Sequence, residues 1–205
     1  MQIKVNNEEK LIMCNLLRHM SLTHRKVLRP IGFRVGTASN LLTSSQTVED
    51  MLTFYSALTA LAYEYNGESD LVVMKIQLID KLNVSDLNQQ GVKVRSNQAC
   101  LLHALSNTPT EVEIYFRFTE GNQTQEDNTQ FLKEHNYDVF ERHISVFASR
   151  HCDIVKFSWD NDRNDLADAI NIDIETNSGA DSKTVLVESI ENGIAVLQKI
   201  KENLI

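Results

Sequence analysis

The sequence predicts an α+β fold: a mixed or mainly antiparallel sheet with amphipathic helices covering one face. Three observations carry this. Residues 70–80 alternate, with Val72, Met74, Ile76 and Leu78 on one side and Lys75 and Gln77 on the other, the period of a half-buried strand. Residues 111–120, EVEIYFRFTE, alternate more cleanly: Val112, Ile114, Phe116 and Phe118 oppose Glu113, Tyr115, Arg117 and Thr119, giving one dry and one wet face. The third observation is helical. In Thr47 to Gly67, apolar side chains recur in steps of three and four at Val48, Met51, Tyr55, Leu58, Ala62 and Tyr65, with Phe54 and Leu61 widening the stripe.

In chain order, residues 1–5 read as a short strand and Asn7 to His19 as a helix, with Asn7 as cap and Glu8 and Glu9 in the first turn. Val27 to Val35 reads as extended, but Pro30 and Gly32 demote it to an edge or bulged strand. Gly36 to Gln46, small and polar, reads as a surface loop. The Thr47–Gly67 helix opens on a capping box of Thr47 and Asp50 and closes on Asn66-Gly67. It reads as a core helix, with a dimer-forming helix as the alternative. Val92 to Arg95 reads as a second short strand and Asn97 to Ser106 as a short helix. Gly121 to Asn128 reads as a polar, mobile connector and Thr129 to Ser149 as a long amphipathic helix. Asp153 to Trp159 and Ala169 to Glu175 read as strands flanking an acidic loop, and Asn177 to Ser182 as a polar turn. The last helix, Lys183 to Asn203, aligns Leu186, Ile190, Ile194, Leu197 and Ile200.

No composition break marks a linker, so residues 1–205 read as a single domain, with 1–66 as a candidate helical N-terminal layer. Apolar residues at 42% and charged residues at 23% exclude wholesale disorder, and two prolines with seven glycines exclude a fibrous chain. No apolar run approaches the roughly 20 residues that span a bilayer, and the N-terminus lacks a secretory pattern, so no membrane partner is expected. Three cysteines without a framework spacing fit a reducing compartment, which makes cytoplasmic the expected location.

The net charge of −8 conceals an asymmetry. Between Lys10 and Val48 there is no acid but six bases, which leaves −14 for the rest; Asp160 to Asp181 holds seven acids against Arg163 alone. Such a dipole suits steered, salt-sensitive association. The leading expectation is therefore a non-catalytic interaction or assembly protein, an adaptor or self-associating subunit. Arg25, Lys26, Arg29 and Arg34 would meet the acidic loop of a protein partner or of a second copy in a homo-oligomer. The same charges could also neutralise one another within one chain.

Two alternatives compete. Asp160, Asp162, Asn164 and Asp168 match part of a calcium loop, but Asp165 replaces the required glycine and Asn171 the closing glutamate. A looser cluster of Asp160, Asp162, Asp173 and Glu175 could hold a divalent cation for hydrolysis of phosphate esters or nucleic acid; otherwise no cofactor is expected. Nucleic-acid binding through the basic segment, with Phe33 stacking a base, is the second alternative. Cys100 and His103 share a helix face in this reading and could support a nucleophile, but neither a third orienting group nor an oxyanion device is evident. Walker, GxGxxG, GxSxG and CxxC motifs are missing.

Overall fold

The computed structural model describes residues 2–4, 8, 9, 12, 25–36, 46–96, 99–160, 169–177 and 180–204. In chain order its strands are β1 (Gln2–Lys4), β2 (Val27–Val35), β3 (Ala62–Tyr65), β4 (Leu71–Leu78), β5 (Lys81–Asn83), β6 (Val92–Arg95) and β7 (Cys100–His103). There follow β8 (Thr110–Thr119), β9 (Gly121–Gln123), β10 (Ser145–Val146), β11 (Ser149–His151), β12 (Ile154–Asp160) and β13 (Ala169–Thr176). The helices are α1 (Met51–Thr59), α2 (Gln125–Glu134) and α3 (Ser182–Asn203), with one 3-10 turn at Val84–Leu87. The fold is α+β, and every strand pairing among the described residues is antiparallel. No described helix is long and apolar enough to cross a membrane. The chain forms two compact units: Lys26–His151, and Met1–Arg25 together with Cys152–Ile205.

The Lys26–His151 unit is built on a four-stranded sheet in the order β10-β2-β8-β4. Alternation on β8 works as the sequence predicts on one face: Val112, Ile114 and Phe116 enter a core with Val72, Met74 and Leu78 of β4 and with Met51, Phe54 and Leu58 of α1. The opposite face is a correction. Glu113 and Tyr115 are buried, and Tyr115 packs with Ile31, Phe131 and Leu132 in a second cluster under α2. Alternation records the pleat; it says nothing of what later covers the polar side.

β2 is bulged as expected, with the register shift between Pro30 and Gly32. The extra residue, Ile31, switches the strand's parity, so Leu28 precedes and Phe33 and Val35 follow it into the same core, while Ile31 joins the other cluster. A Cβ on Gly32 would sit 3.0 Å from the Ser145 carbonyl oxygen, so the glycine is what lets β10 approach.

The Thr47–Gly67 helix is corrected to nine residues. Its cap is Asp50, which accepts from the Thr53 amide at 2.6 Å, while Thr47 is buried and bridges to Ala104. The helix stops at Thr59, whose hydroxyl donates back to the Tyr55 carbonyl at 2.9 Å. The following aromatics then take strand geometry, which suits their bulk. Tyr63 pairs with Val94 in β6, meets Phe116 edge-on at 5.2 Å, and donates its hydroxyl to the Leu58 carbonyl at 2.7 Å.

Three further expectations change. Residues 97–106 are not helical over their described part but carry β7, paired with β5. The polar connector 121–128 holds β9 and the start of α2, which opens on a reciprocal box of Thr124 and Asp127. The helix expected over 129–149 ends at Glu134, because Asn136 turns left-handed (φ 63°) and the chain then runs through turns into β10 and β11.

In the other unit, β1, β13 and β12 form a three-stranded sheet close to the ranges read from sequence. α3 begins on Asp181, which accepts from the Thr184 amide at 3.0 Å. The predicted 7–19 helix lies outside the described residues apart from positions 8, 9 and 12, as does the 37–45 part of the predicted loop.

Candidate functional site

The basic segment is largely engaged within its own units. Arg25 reaches Glu188 at 2.6 Å and, more loosely, the buried Asp153 at 3.8 Å. Arg29 donates to the Thr59 and Leu61 carbonyls, the latter at 2.8 Å, and so satisfies the last turn of α1. Arg34 lies opposite Glu113 in the β2–β8 register, hydrogen-bonds it at 3.2 Å, and also pairs with Glu111. Lys26 is exposed.

Glu113 gathers several donors because β8 is flanked on both sides. Arg34 comes from β2, Lys75 from β4 at 3.4 Å, and the Tyr115 hydroxyl from two positions along. Burial pushes the Glu113 carboxyl up, but the bonds from Arg34 and Tyr115 outweigh it and hold the group below its ordinary value. Burial pushes the Tyr115 phenol up, and its bond to Glu113 pushes the same way. The cluster ties Arg34 and Lys75 to β8 within the unit. Phe33 is equally occupied: it is buried, packed 5.0 Å from Phe54 and 6.0 Å from Phe147 between ring centroids.

The acidic residues are spread along a ladder. Asp173 and Glu175 are exposed on β13, opposite Ser158 and Lys156, and Asp160 pairs with Asn171 at the far end. Four residues of strand, about 13 Å, separate the rungs of Asp160 and Glu175. Asp162 lies outside the described residues. Among the described residues, no three His, Cys, Asp or Glu side chains gather as a metal site.

A buried polar chain stands elsewhere in the Lys26–His151 unit. Arg117 donates to Asn128 at 3.2 Å, Asn128 donates to Ser149 at 3.0 Å, and Ser149 lies 2.7 Å from His151 Nε2. His151 Nδ1 is 3.0 Å from the Val27 carbonyl, which can only accept, so Nδ1 carries the proton and Nε2 accepts from the Ser149 hydroxyl. Burial pulls the imidazole down to about 4, with the nearby Arg29 and Arg117 charges adding to it, so His151 is neutral at physiological pH.

Among the described residues, one apolar surface that stays open belongs to α3. Its N-terminal half buries Val185, Leu186 and Ser189, and Glu188 is tied to Arg25. Beyond Ile190 the same stripe emerges into solvent: Ile194, Leu197, Ile200 and Leu204 are 49, 55, 50 and 82% exposed. The 22-residue helix is thus amphipathic throughout but seated over only half its length. No protein-family model matches the chain, and no curated protein matches it in sequence.

Proposed function

We propose that this protein is an assembly protein that self-associates, and that the exposed half of α3 is the surface through which two copies pair. The supporting observation is the run of half-exposed aliphatic side chains at Ile194, Leu197 and Ile200, spaced by helical turns on a 22-residue helix. Contiguous exposed apolar surface of this kind commonly marks an interaction site.

A second copy is the occupant that the charges favour. The acids Glu188, itself paired with Arg25, and Glu191 lie towards the N-terminal side of the stripe, and the bases Lys199 and Lys201, followed by Glu202, towards its end. Antiparallel pairing sets unlike charges and unlike helix ends together, where parallel pairing would oppose like with like. Centred on Leu197, an antiparallel pair sets Ile194 against Ile200 and Ile190 against Leu204, and brings Glu191 of one copy within a turn of Lys199 of the other. The overlap from Ile190 to Leu204 is about 21 Å, roughly four turns.

Orientation can be tested by cross-linking. Leu197→Cys joins two chains rapidly under mild oxidation, because position 197 meets itself at the two-fold axis. Leu204→Cys does not, because antiparallel pairing carries the two ends apart. Equal cross-linking at both positions refutes the antiparallel pair, and none at either refutes α3 as the contact.

A further inference from the structure

We propose that Asn66 is a self-modification site: the Gly67 amide attacks its side chain, closes it to a succinimide, and water opens the ring to aspartate or isoaspartate. This goes beyond self-association, and neither depends on the other. Asparagine is among the thermally labile residues. A following glycine helps, because it has no Cβ to keep the next amide from the side chain. The chain has two Asn-Gly steps, Asn66-Gly67 and Asn192-Gly193, and the structure sets them apart.

Asn66-Gly67 lies where β3 ends. Tyr65 opposite Val92 is the last rung of the β3–β6 ribbon, and just beyond it the Asn66 amide donates to the Gly91 carbonyl at 3.1 Å. From residue 66 to residue 69 the chain is neither helix nor strand, and Asn66 is exposed. Among the described residues, none hydrogen-bonds the Asn66 carboxamide, and none accepts from the Gly67 N–H. The nucleophile and the carbon it attacks are therefore neighbours, and neither is committed elsewhere.

Asn192-Gly193 is held differently. It lies inside α3, where the helix fixes the backbone angles and commits each amide to the carbonyl four residues back. Asn192 is also half-buried. The same dipeptide is thus open at the end of a ribbon and locked in a helix.

In the reaction, the Gly67 nitrogen gives its proton to hydroxide and bonds to Asn66 Cγ. The tetrahedral adduct expels the carboxamide nitrogen, which takes a proton from water and leaves as ammonia, so hydroxide is regenerated. Water then adds to either carbonyl of the cyclic imide. Breaking the bond to Cγ gives aspartate on the original main chain. Breaking the bond to the Asn66 main-chain carbonyl carbon gives isoaspartate, with the peptide link running through Cγ.

Isoaspartate has a structural consequence here. The space that a Cβ would take at Gly67 is filled by the Tyr65 ring, which meets Phe118 edge-on at 5.0 Å. A Cβ on Gly91 would come 3.6 Å from the Gly67 nitrogen and 3.7 Å from the same ring. An extra methylene in the main chain between positions 66 and 67 cannot leave both Gly67 under Tyr65 and the Asn66 amide on Gly91. The end of the β3–β6 ribbon therefore loosens.

The test ages the full chain at neutral pH and physiological temperature, folded and in urea, and follows both sites by peptide mass. In the folded chain Asn66 converts severalfold faster than Asn192; in urea the two convert alike. Hydroxylamine, which cleaves succinimides, cuts a fraction of the aged folded chain after position 66. Asn66→Gln removes the acidic variant seen on isoelectric focusing, and circular dichroism confirms that it is folded. The aged chain exchanges the amide hydrogens of β3 and β6 faster than fresh chain does. Equal conversion of both sites in the folded chain overturns the proposal, as does an Asn66 that converts only in urea. Unchanged exchange in the aged chain overturns the loosening of the ribbon.

Discussion

The basic segment and the C-terminal half of α3 make opposite use of side chains that look equally available in the sequence. Arg25, Arg29 and Arg34 are charged, yet each ends on a carboxylate or carbonyl of its own unit. Ile194, Leu197 and Ile200 are aliphatic, yet each remains about half exposed. Long cations can reach back to the backbone from an outer position, whereas an aliphatic side chain on a helix is covered only where another surface meets it. A charge imbalance in a sequence is thus a poor guide to a sticky surface when the acids sit on the neighbouring strand, as Glu111 and Glu113 do beside Arg34.

The strongest way to break this comparison is through Glu113. If its charge serves the fold, Glu113→Ala leaves Arg34 without its buried partner and lowers stability by about 3–5 kcal/mol in urea unfolding. A loss below about 1 kcal/mol would return Arg34 to the surface as an available contact.

His151 extends the comparison to a group kept neutral. Its folded-state value is depressed to about 4 from an ordinary 6.5, so the unfolded chain binds the proton first. The stability it contributes is fully present above pH 6.5 and is lost as pH falls towards 4, about 3 kcal/mol in all. Urea unfolding between pH 7 and pH 4 should show this loss, and the slope over that window should flatten in His151→Gln.

On the apolar side, Ile194→Lys or Leu197→Glu should weaken self-association tenfold to a hundredfold, about 1.4–2.7 kcal/mol. The helix should keep its circular-dichroism signal, because neither side chain is buried within its unit. The smallest effect belongs to Lys26→Glu. Exposed and outside the clusters that hold its three basic neighbours, it should change stability by less than about 0.5 kcal/mol and leave association unaltered.

Much of this fold was legible where one period ran long enough. β4 and β8 alternate for eight residues or more, and α3 repeats its stripe over six turns. Short elements were legible only in part: the strands at Gln2–Lys4 and Val92–Arg95 were read, whereas those at Ala62–Tyr65 and Cys100–His103 were not. Met51 to Tyr65 satisfies helical spacing all along, so nothing local marks the turn after Thr59; that turn is set by Arg29 on the α1 carbonyls and by the pairing of Tyr63 with Val94. β7 was hidden for a related reason, since its bulge places Cys100 and His103 on one side and so mimics a helical step of three. The proximity of Cys100 and His103 could be read from spacing. Glu49 could not, because its contact with His103 spans 54 positions and depends on how residues 46–49 pair beside β7. The burial of Tyr115 was equally invisible: alternation placed it on a polar face, and α2 with the turns after it packs over it.

The most direct test of self-association through α3 is light scattering coupled to size-exclusion chromatography, from about 1 to 100 µM chain, at low and at high salt. Pairing through the apolar stripe predicts a dimer that forms with rising concentration, persists as salt is raised, and is lost in Leu197→Glu. A chain that stays monomeric throughout, or a dimer that salt dissociates and Leu197→Glu leaves intact, would contradict it and return the contact to charged residues.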